Sequence, residues 1–284
     1  MSTTILVTGA TGKVGRATVA ALARRGAAVR AATRQPEHYQ PPAGGVSAVH
    51  LDFNDPDSFA PALEGAERLF LMAAPMDAGA GPKLRGLIES ARAVGLERAV
   101  LMTAMGVERA PGSPLGQVEA GLKASGLAWT ILRPNWFMEN FHPGWIGGMI
   151  KSGAISLPAG DARVSFIAAE DIGEAAAVAL TEDGHEGREY TLTGPAALGW
   201  DEVAAHFAQL TGRSVNYHAI SDADMRAGMA AQGLPASAID YLSVLFGAMR
   251  AGGCAPVAGD IKGLIGRAPR SLAEFTAKQR GAWA

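Results

Sequence analysis

Short apolar, β-branched or aliphatic runs recur through the first half of the chain, near residues 4–8, 28–33, 46–50, 67–73, 98–103 and 128–133. Between most of them the apolar positions change period. After the first run, Val14, Ala17, Thr18, Ala21 and Leu22 fall on one stripe, while Arg16, Ala20 and Arg24 lie opposite. That is the spacing of an amphipathic helix. "NDPDSF" at 54–59 supplies a cap and a proline for a first helical turn, followed by Leu63. Strands alternating with helices predict a parallel sheet covered on both faces. Right-handed crossovers then favour a doubly wound arrangement.

The second half is less regular. "WFMENFHPGWIGGMIKSG" at 136–153 predicts a helix rich in aromatics and methionine that meets Pro143 and a glycine pair. "REYTLTG" at 188–194 predicts a further strand, and "WDEVAAHFAQLTG" at 200–212 an amphipathic helix stopped by glycine. Residues 221–250 are expected to be helical with a break at Pro235, and 268–280 to form a terminal helix. Asp171 is expected to cap a helix, and Asp201 to cap one or to lie in its first turn. The expected domains are 1–134, with parts of 154–194 returning to the sheet, and a smaller discontinuous α/β lobe from 135–153 and 195–284.

Composition narrows the picture. Hydrophobic residues are 48% of the 284 and charged ones 18%, enough apolar content for a sizeable core. A net charge of -2 gives no reason to expect nucleic acid or an anionic membrane as partner. Yet the segment before Glu37 holds no acid and six basic residues, Lys13, Arg16, Arg24, Arg25, Arg30 and Arg34, so it carries a local positive field. The lone cysteine, Cys254, fits a reducing compartment. With no signal-peptide pattern and no run of about 18 apolar residues, a cytoplasmic location is expected. The histidines show no metal-ligand spacing, so no metal is expected.

The first apolar run ends in "TGATGKVG". Gly9 permits a tight turn out of the strand, Gly12 lets a pyrophosphate approach the backbone, and Gly15 lets the following helix pack close. The helix start adds free N–H groups and a positive dipole end. A strand before and a helix after provide the context of a Rossmann-type dinucleotide site, although glycines alone also suit a turn that holds nothing. Some twenty residues on, where an acid would bind ribose hydroxyls, the chain has Arg34 in "TRQP". A guanidinium matches a phosphate bidentately, so Arg34 points to the 2′-phosphate of NADP unless it is simply solvated. Asp52 and Phe53 are expected beside the adenine. Ala73, Ala74 and Pro75 end the fourth strand with small residues where the backbone passes the cofactor.

The proton donor of a short-chain dehydrogenase, a Tyr-x-x-x-Lys pair, is missing. Tyr39, Tyr190, Tyr217 and Tyr241 are followed four residues later by Ala43, Gly194, Ser221 and Leu245. The fifth strand ends at Thr103 where a serine is usual.

Together with "SPLGQVEAGLKASGLAWTILRPNWFMENF" and "GHEGREYTLTGP", the turn and "TRQP" resemble the NmrA-like atypical short-chain dehydrogenase/reductases, and in particular the bacterial NADPH:quinone oxidoreductases of that group. The resemblance implies pyrophosphate contacts at Gly9, Thr11, Gly12, Lys13, Val14 and Gly15, with Arg34 on the 2′-phosphate. It also implies that Thr103, Pro134 and Asn135 lie at the nicotinamide end. Many relatives carry Glu-Lys before the "SG" that precedes strand six. Here Glu119 is followed by Ala120, and Lys123 one turn on is expected to be a solvated helix residue.

The missing acid constrains the chemistry. A simple ketone becomes a strongly basic alkoxide and needs a positioned acid. A quinone or iminium ion does not, and proximity to the nicotinamide supplies much of the catalysis. The expected activity is an NADPH-dependent reductase of a planar, hydrophobic, quinone-like or other electron-poor conjugated acceptor. A pathway-specific imine or iminium reductase and a non-catalytic NADP(H) sensor with a protein partner are the alternatives. Met105, Trp136, Phe137, Asn140, Trp145 and Met149 are the expected acceptor contacts, with Glu139 a further polar candidate. His142 is a candidate donor beside Thr103 and Asn135. Oligomeric state is left open, a homodimer among the options.

Overall fold

Each apolar run of the first half forms a strand in the computed structural model, which describes residues 3–74, 77 and 79–283. The strands are β1 (Thr4–Val7), β2 (Ala28–Thr33), β3 (Val46–His50), β4 (Arg68–Met72), β5 (Arg98–Met102), β6 (Ala128–Pro134), β7 (Ala154–Leu157), β8 (Arg163–Val164), β9 (Arg188–Leu192), β10 (Leu198–Gly199) and β11 (Asn216–Ala219). The helices are α1 (Lys13–Arg24), α2 (Phe59–Leu63), α3 (Ala80–Ala93), α4 (Pro114–Lys123), α5 (Ile146–Ser152), α6 (Ala169–Thr181), α7 (Trp200–Thr211), α8 (Asp222–Ala231), α9 (Ala236–Arg250), α10 (Asp260–Ile265) and α11 (Leu272–Ala277). The chain divides into two units. The first joins Met1–Pro134, Ala169–Leu192 and Asp260–Arg267, and the second Asn135–Ala168, Thr193–Gly259 and Ala268–Ala284.

The first unit carries a seven-stranded sheet in the order β3-β2-β1-β4-β5-β6-β9, parallel throughout. It is the doubly wound Rossmann-type architecture. The chain winds outward from β1 to β3, returns, and winds outward again from β4. The break between β1 and β4 is the point where such sheets open a crevice at their carboxyl edge. β5 is buried at every position, because helices cover both faces and leave no solvent side for polar residues. On one face Leu6, Leu69, Leu71, Leu101 and Ile131 pack with Phe59, Leu84, Leu87, Val118 and Leu122 from α2, α3 and α4. α1 and α6 pack against each other, and α6 also contacts β4, β5 and β6.

Three arginines close the carboxyl end of α6. Arg98 donates to the carbonyls of Ala179 at 3.3 Å and Glu182 at 2.5 Å. Arg68 donates to the Leu180 carbonyl, and Arg25 reaches the Glu182 carboxylate at 2.6 Å. Cations at that end answer both the unpaired carbonyls and the negative pole of the helix.

The second unit is built on aromatic packing. Phe141 lies 5.0 Å from Phe166 and 5.3 Å from Phe207, and Phe166 lies 5.5 Å from Trp200, between ring centroids. β7 pairs with β11 and β8 with β10 as two small sheets.

Several expectations require correction. No helix starts at Trp136. Trp136 and Met138 instead bond through their backbones to Ile167 at 2.9 Å, Met138–Asn140 makes a single 3-10 turn, and α5 begins only at Ile146. Pro143 has no N–H to continue a helix and blocks one from forming across it. The terminal helix is confined to Leu272–Ala277, because Ser271 caps it and exchanges hydrogen bonds with Glu274. Asp171 lies inside the first turn of α6, fully buried, 2.7 Å from Arg267. Of the stretch 154–194, Ala169–Leu192 lies in the first unit; Asp260–Arg267, expected in the lobe, lies there too, where the Asp260 carboxylate accepts the Thr191 N–H at 2.8 Å beside β9.

Candidate active site

The turn between β1 and α1 is built from backbone. Gly9 has φ +63°, a left-handed conformation that favours glycine. The Gly12 N–H closes the turn onto the Gly9 carbonyl at 2.8 Å. A Cβ on Gly15 would fall 2.0 Å from that same carbonyl oxygen, so any side chain there pushes α1 off the turn. Thr11, Gly12 and Lys13 are exposed, while Val14 and Gly15 are buried beneath them. α1 starts without a side-chain cap and without an acid in its first turn, so the positive end of its dipole meets no acidic side chain of its own helix. Arg16 folds back, its Nε donating to the Thr11 carbonyl at 2.9 Å. This arrangement suits a diphosphate: open backbone donors, positive charge, and no side chain in the way.

Arg34 follows β2 directly, at the same carboxyl edge. It is exposed, and among the described residues its guanidinium has no ion-pair or hydrogen-bond partner. Its carbonyl is held by His50 Nδ1 at 3.2 Å, which fixes the backbone while the charge stays free. Asp52 and Phe53 lie just past β3. The Asp52 carboxylate accepts the Asn54 N–H at 2.9 Å and so shapes its own loop, and the Phe53 ring stands edge-on to Phe59 at 6.4 Å. Ala73 is half-buried and Ala74 exposed after β4. Pro75 lies outside the described residues.

The region past β5 and along β6, where the nicotinamide end is expected, is built from side chains. Thr103, Glu119 and Arg133 are all buried, at 7%, 4% and 5% exposure. The Thr103 hydroxyl donates to Glu119 Oε1 at 2.7 Å. Arg133 grips the same carboxylate with Nε at 2.9 Å and Nη2 at 2.6 Å, and it also reaches Glu189 at 2.6 Å and Glu108 at 3.7 Å. Burial disfavours the Arg133 charge, but the Glu119 and Glu189 carboxylates outweigh it and hold its pKa above the ordinary value. Lys123 is exposed. It pairs with Glu189, and its ammonium lies 5.5 Å from the Trp129 ring. Lys123 first, and then Arg133, hold the Glu189 carboxyl below its usual range against partial burial. Nothing in the expected site had included Arg133. The available signal was a charge within the otherwise apolar strand "TILRP", since a buried cation requires a buried anion.

The remaining residues are placed as follows. Met105 is half-buried, and its N–H donates to the Pro134 carbonyl at 3.0 Å. Asn135 belongs to the second unit, with its amide nitrogen donating to Ser165 Oγ at 2.7 Å and to the Cys254 carbonyl at 2.8 Å. Its amide hydrogens are thereby committed to loop structure. The His142 ring stands edge-on to Trp283 at 5.5 Å. Trp136 and Trp145 both pack on the Phe246 ring of α9, at 5.3 and 6.4 Å. Phe137 bridges to Ile167, and Met149 packs on the aromatic core. Asn140 is half-buried and Glu139 buried. Among the described residues no group of three or more His, Cys, Asp or Glu side chains could hold a metal, and no helix is long and apolar enough to cross a membrane.

Residues 9–183 match the NAD(P)H-binding family. The chain belongs to it. Within that family it falls in the NmrA-like group of atypical short-chain dehydrogenase/reductases, and it is an NAD(P)H-dependent oxidoreductase. It is 32% identical to an NAD(P)H azoreductase of Xenophilus azovorans, over 95% of this chain and 96% of that protein. It is 30% identical to quinone oxidoreductase 2 of Escherichia coli K12, over 95% and 96%. The fold superposes on an E. coli NADPH-dependent quinone oxidoreductase complexed with NADPH, with a TM-score of 0.86 and 28% identity, covering 97% of this chain and 99% of that one. The matched residues include both the glycine turn and the Thr103–Glu119–Arg133 cluster.

Proposed function

We propose that the protein reduces quinone- or azo-type, electron-poor conjugated acceptors with NADPH. In this reading Thr11, Gly12, Lys13 and the Val14 N–H hold the pyrophosphate, with Gly9 and Gly15 shaping the turn. Arg34 takes the 2′-phosphate, and Asp52, Phe53, Ala73 and Ala74 line the adenosine and diphosphate path. Thr103, Pro134 and Asn135 lie at the nicotinamide end. Met105, Trp136, Phe137, Asn140, Trp145 and Met149 contact the acceptor, and His142 is the remaining candidate proton donor.

The observation that carries this reading is the hydrogen bond from Thr103 to Glu119. The hydroxyl that would polarise a ketone already directs its hydrogen to a carboxylate. Bound NADPH supplies a hydride. A quinone that receives it becomes a stabilised hydroquinone anion that solvent can protonate, whereas a ketone becomes an alkoxide that needs an acid contributing about 10²–10⁴-fold. The similarity to a quinone oxidoreductase and an azoreductase supports the same acceptor class.

Steady-state NADPH oxidation against quinones, an azo dye, a cyclic iminium ion and simple ketones tests the proposal. Turnover of the quinones or the azo dye, with ketones inert, is the expected result. Turnover of ketones alone contradicts it. Turnover of the iminium ion alone makes the protein an imine reductase, and tight NADP⁺ binding without acceptor-dependent oxidation makes it a sensor.

A further inference from the structure

Thr103 Oγ1 carries a single hydrogen, and that hydrogen lies on the 2.7 Å bond to Glu119. A carboxylate engaged by Arg133 has no proton to return. Glu119 cannot turn away, because the guanidinium fork holds both its oxygens and is itself anchored by Glu189. All three side chains are buried, so water does not compete for the bond. The hydroxyl therefore has only lone pairs left for anything that reaches the strand end.

We propose that Glu119 is a positioning residue that fixes the polarity of Thr103, so that this hydroxyl receives hydrogen bonds from the ligand and supplies none. The proposal rests on the reductase reading and deepens it. A reduced product bearing hydroxyl groups is recognised by donating to Thr103. An acceptor that requires a proton in the transition state finds none there and is excluded. Specificity is thus written behind the crevice, in a residue that touches no ligand.

The test uses the NADP⁺-loaded protein and two stable probes of similar shape, 1-naphthol, which donates a hydrogen bond, and 1-methoxynaphthalene, which only accepts. Dissociation constants are measured by calorimetry. The wild type is expected to prefer the naphthol by about fivefold, the value of one hydrogen bond, and Thr103→Ser to keep that preference. Thr103→Val should reduce it to near unity without disturbing the Glu119–Arg133 pair. The double variant Glu119→Leu/Arg133→Met should do the same by freeing the hydroxyl to donate. Replacing both partners leaves no unpaired charge between them, and Glu189 keeps Lys123. If Glu119 were merely structural, the double variant would weaken both probes together and leave their ratio unchanged, which overturns the proposal. An unchanged ratio in Thr103→Val overturns it equally. If the loaded wild type binds neither probe, the reductase reading fails and this proposal fails with it.

Discussion

The two sides of the sheet's carboxyl edge solve opposite problems. At β1 the turn from Gly9 to Gly15 is open: its donors are backbone N–H groups, Thr11, Gly12 and Lys13 are exposed, and the helix start has no acid of its own. At β5 and β6 everything is closed. Thr103, Glu119, Arg133 and Glu189 satisfy one another, with little left for a ligand. In the proposed reading the first side binds a charged group through its backbone, and the second stays fixed beside the chemistry. Binding strength and reaction selectivity would then reside in different kinds of structure and respond to different perturbations.

The largest expected effect is at the closed side. Glu119→Ala leaves a buried guanidinium short of its main partner and should lower unfolding free energy in urea by about 3–5 kcal/mol. A loss under about 1 kcal/mol would mean the cluster is not a unit. At the open side, Gly15→Ala forces a Cβ into the Gly9 carbonyl and should cost about 1–3 kcal/mol of stability together with most cofactor affinity. Retained affinity would mean that the turn tolerates displacement of α1. The smallest effect concerns acid. The Glu189 carboxyl is held below its ordinary 4.5 by Lys123 and Arg133, so its contribution is present above that value and is lost as pH falls through the lowered one. Glu189→Gln should show a flatter loss of stability in that acid window than the wild type, whereas equal acid slopes would remove the residue from the network's account.

The contrast also explains what could be read in advance. Gly9, Gly12 and Gly15 each answer a backbone constraint within seven residues, so the turn was legible in the chain. β5, buried at every position, falls on its predicted run because strands covered on both faces show as continuous apolar stretches. The Glu119–Arg133 pair joins a helix to a strand, and neither residue's neighbours announce the other. The second unit was harder for the same reason. Trp136 and Trp145 meet over Phe246, about a hundred residues along the chain, and Asp260–Arg267 returns to the first unit through contacts with β9 and α6. Local pattern records local backbone needs, while partnerships between distant side chains leave only an incongruous residue, such as the arginine in "TILRP".

The central claim is that the open turn and the unpartnered Arg34 guanidinium together hold a 2′-phosphorylated dinucleotide. Equilibrium titration of the wild type and Arg34→Ala with NADPH and NADH tests it directly. The wild type should prefer NADPH, and Arg34→Ala should lose about 10- to 100-fold of NADPH affinity, the value of charge-assisted hydrogen bonds, with NADH binding unchanged. Equal affinity of the wild type for the two cofactors, or a preference that survives Arg34→Ala, would contradict it.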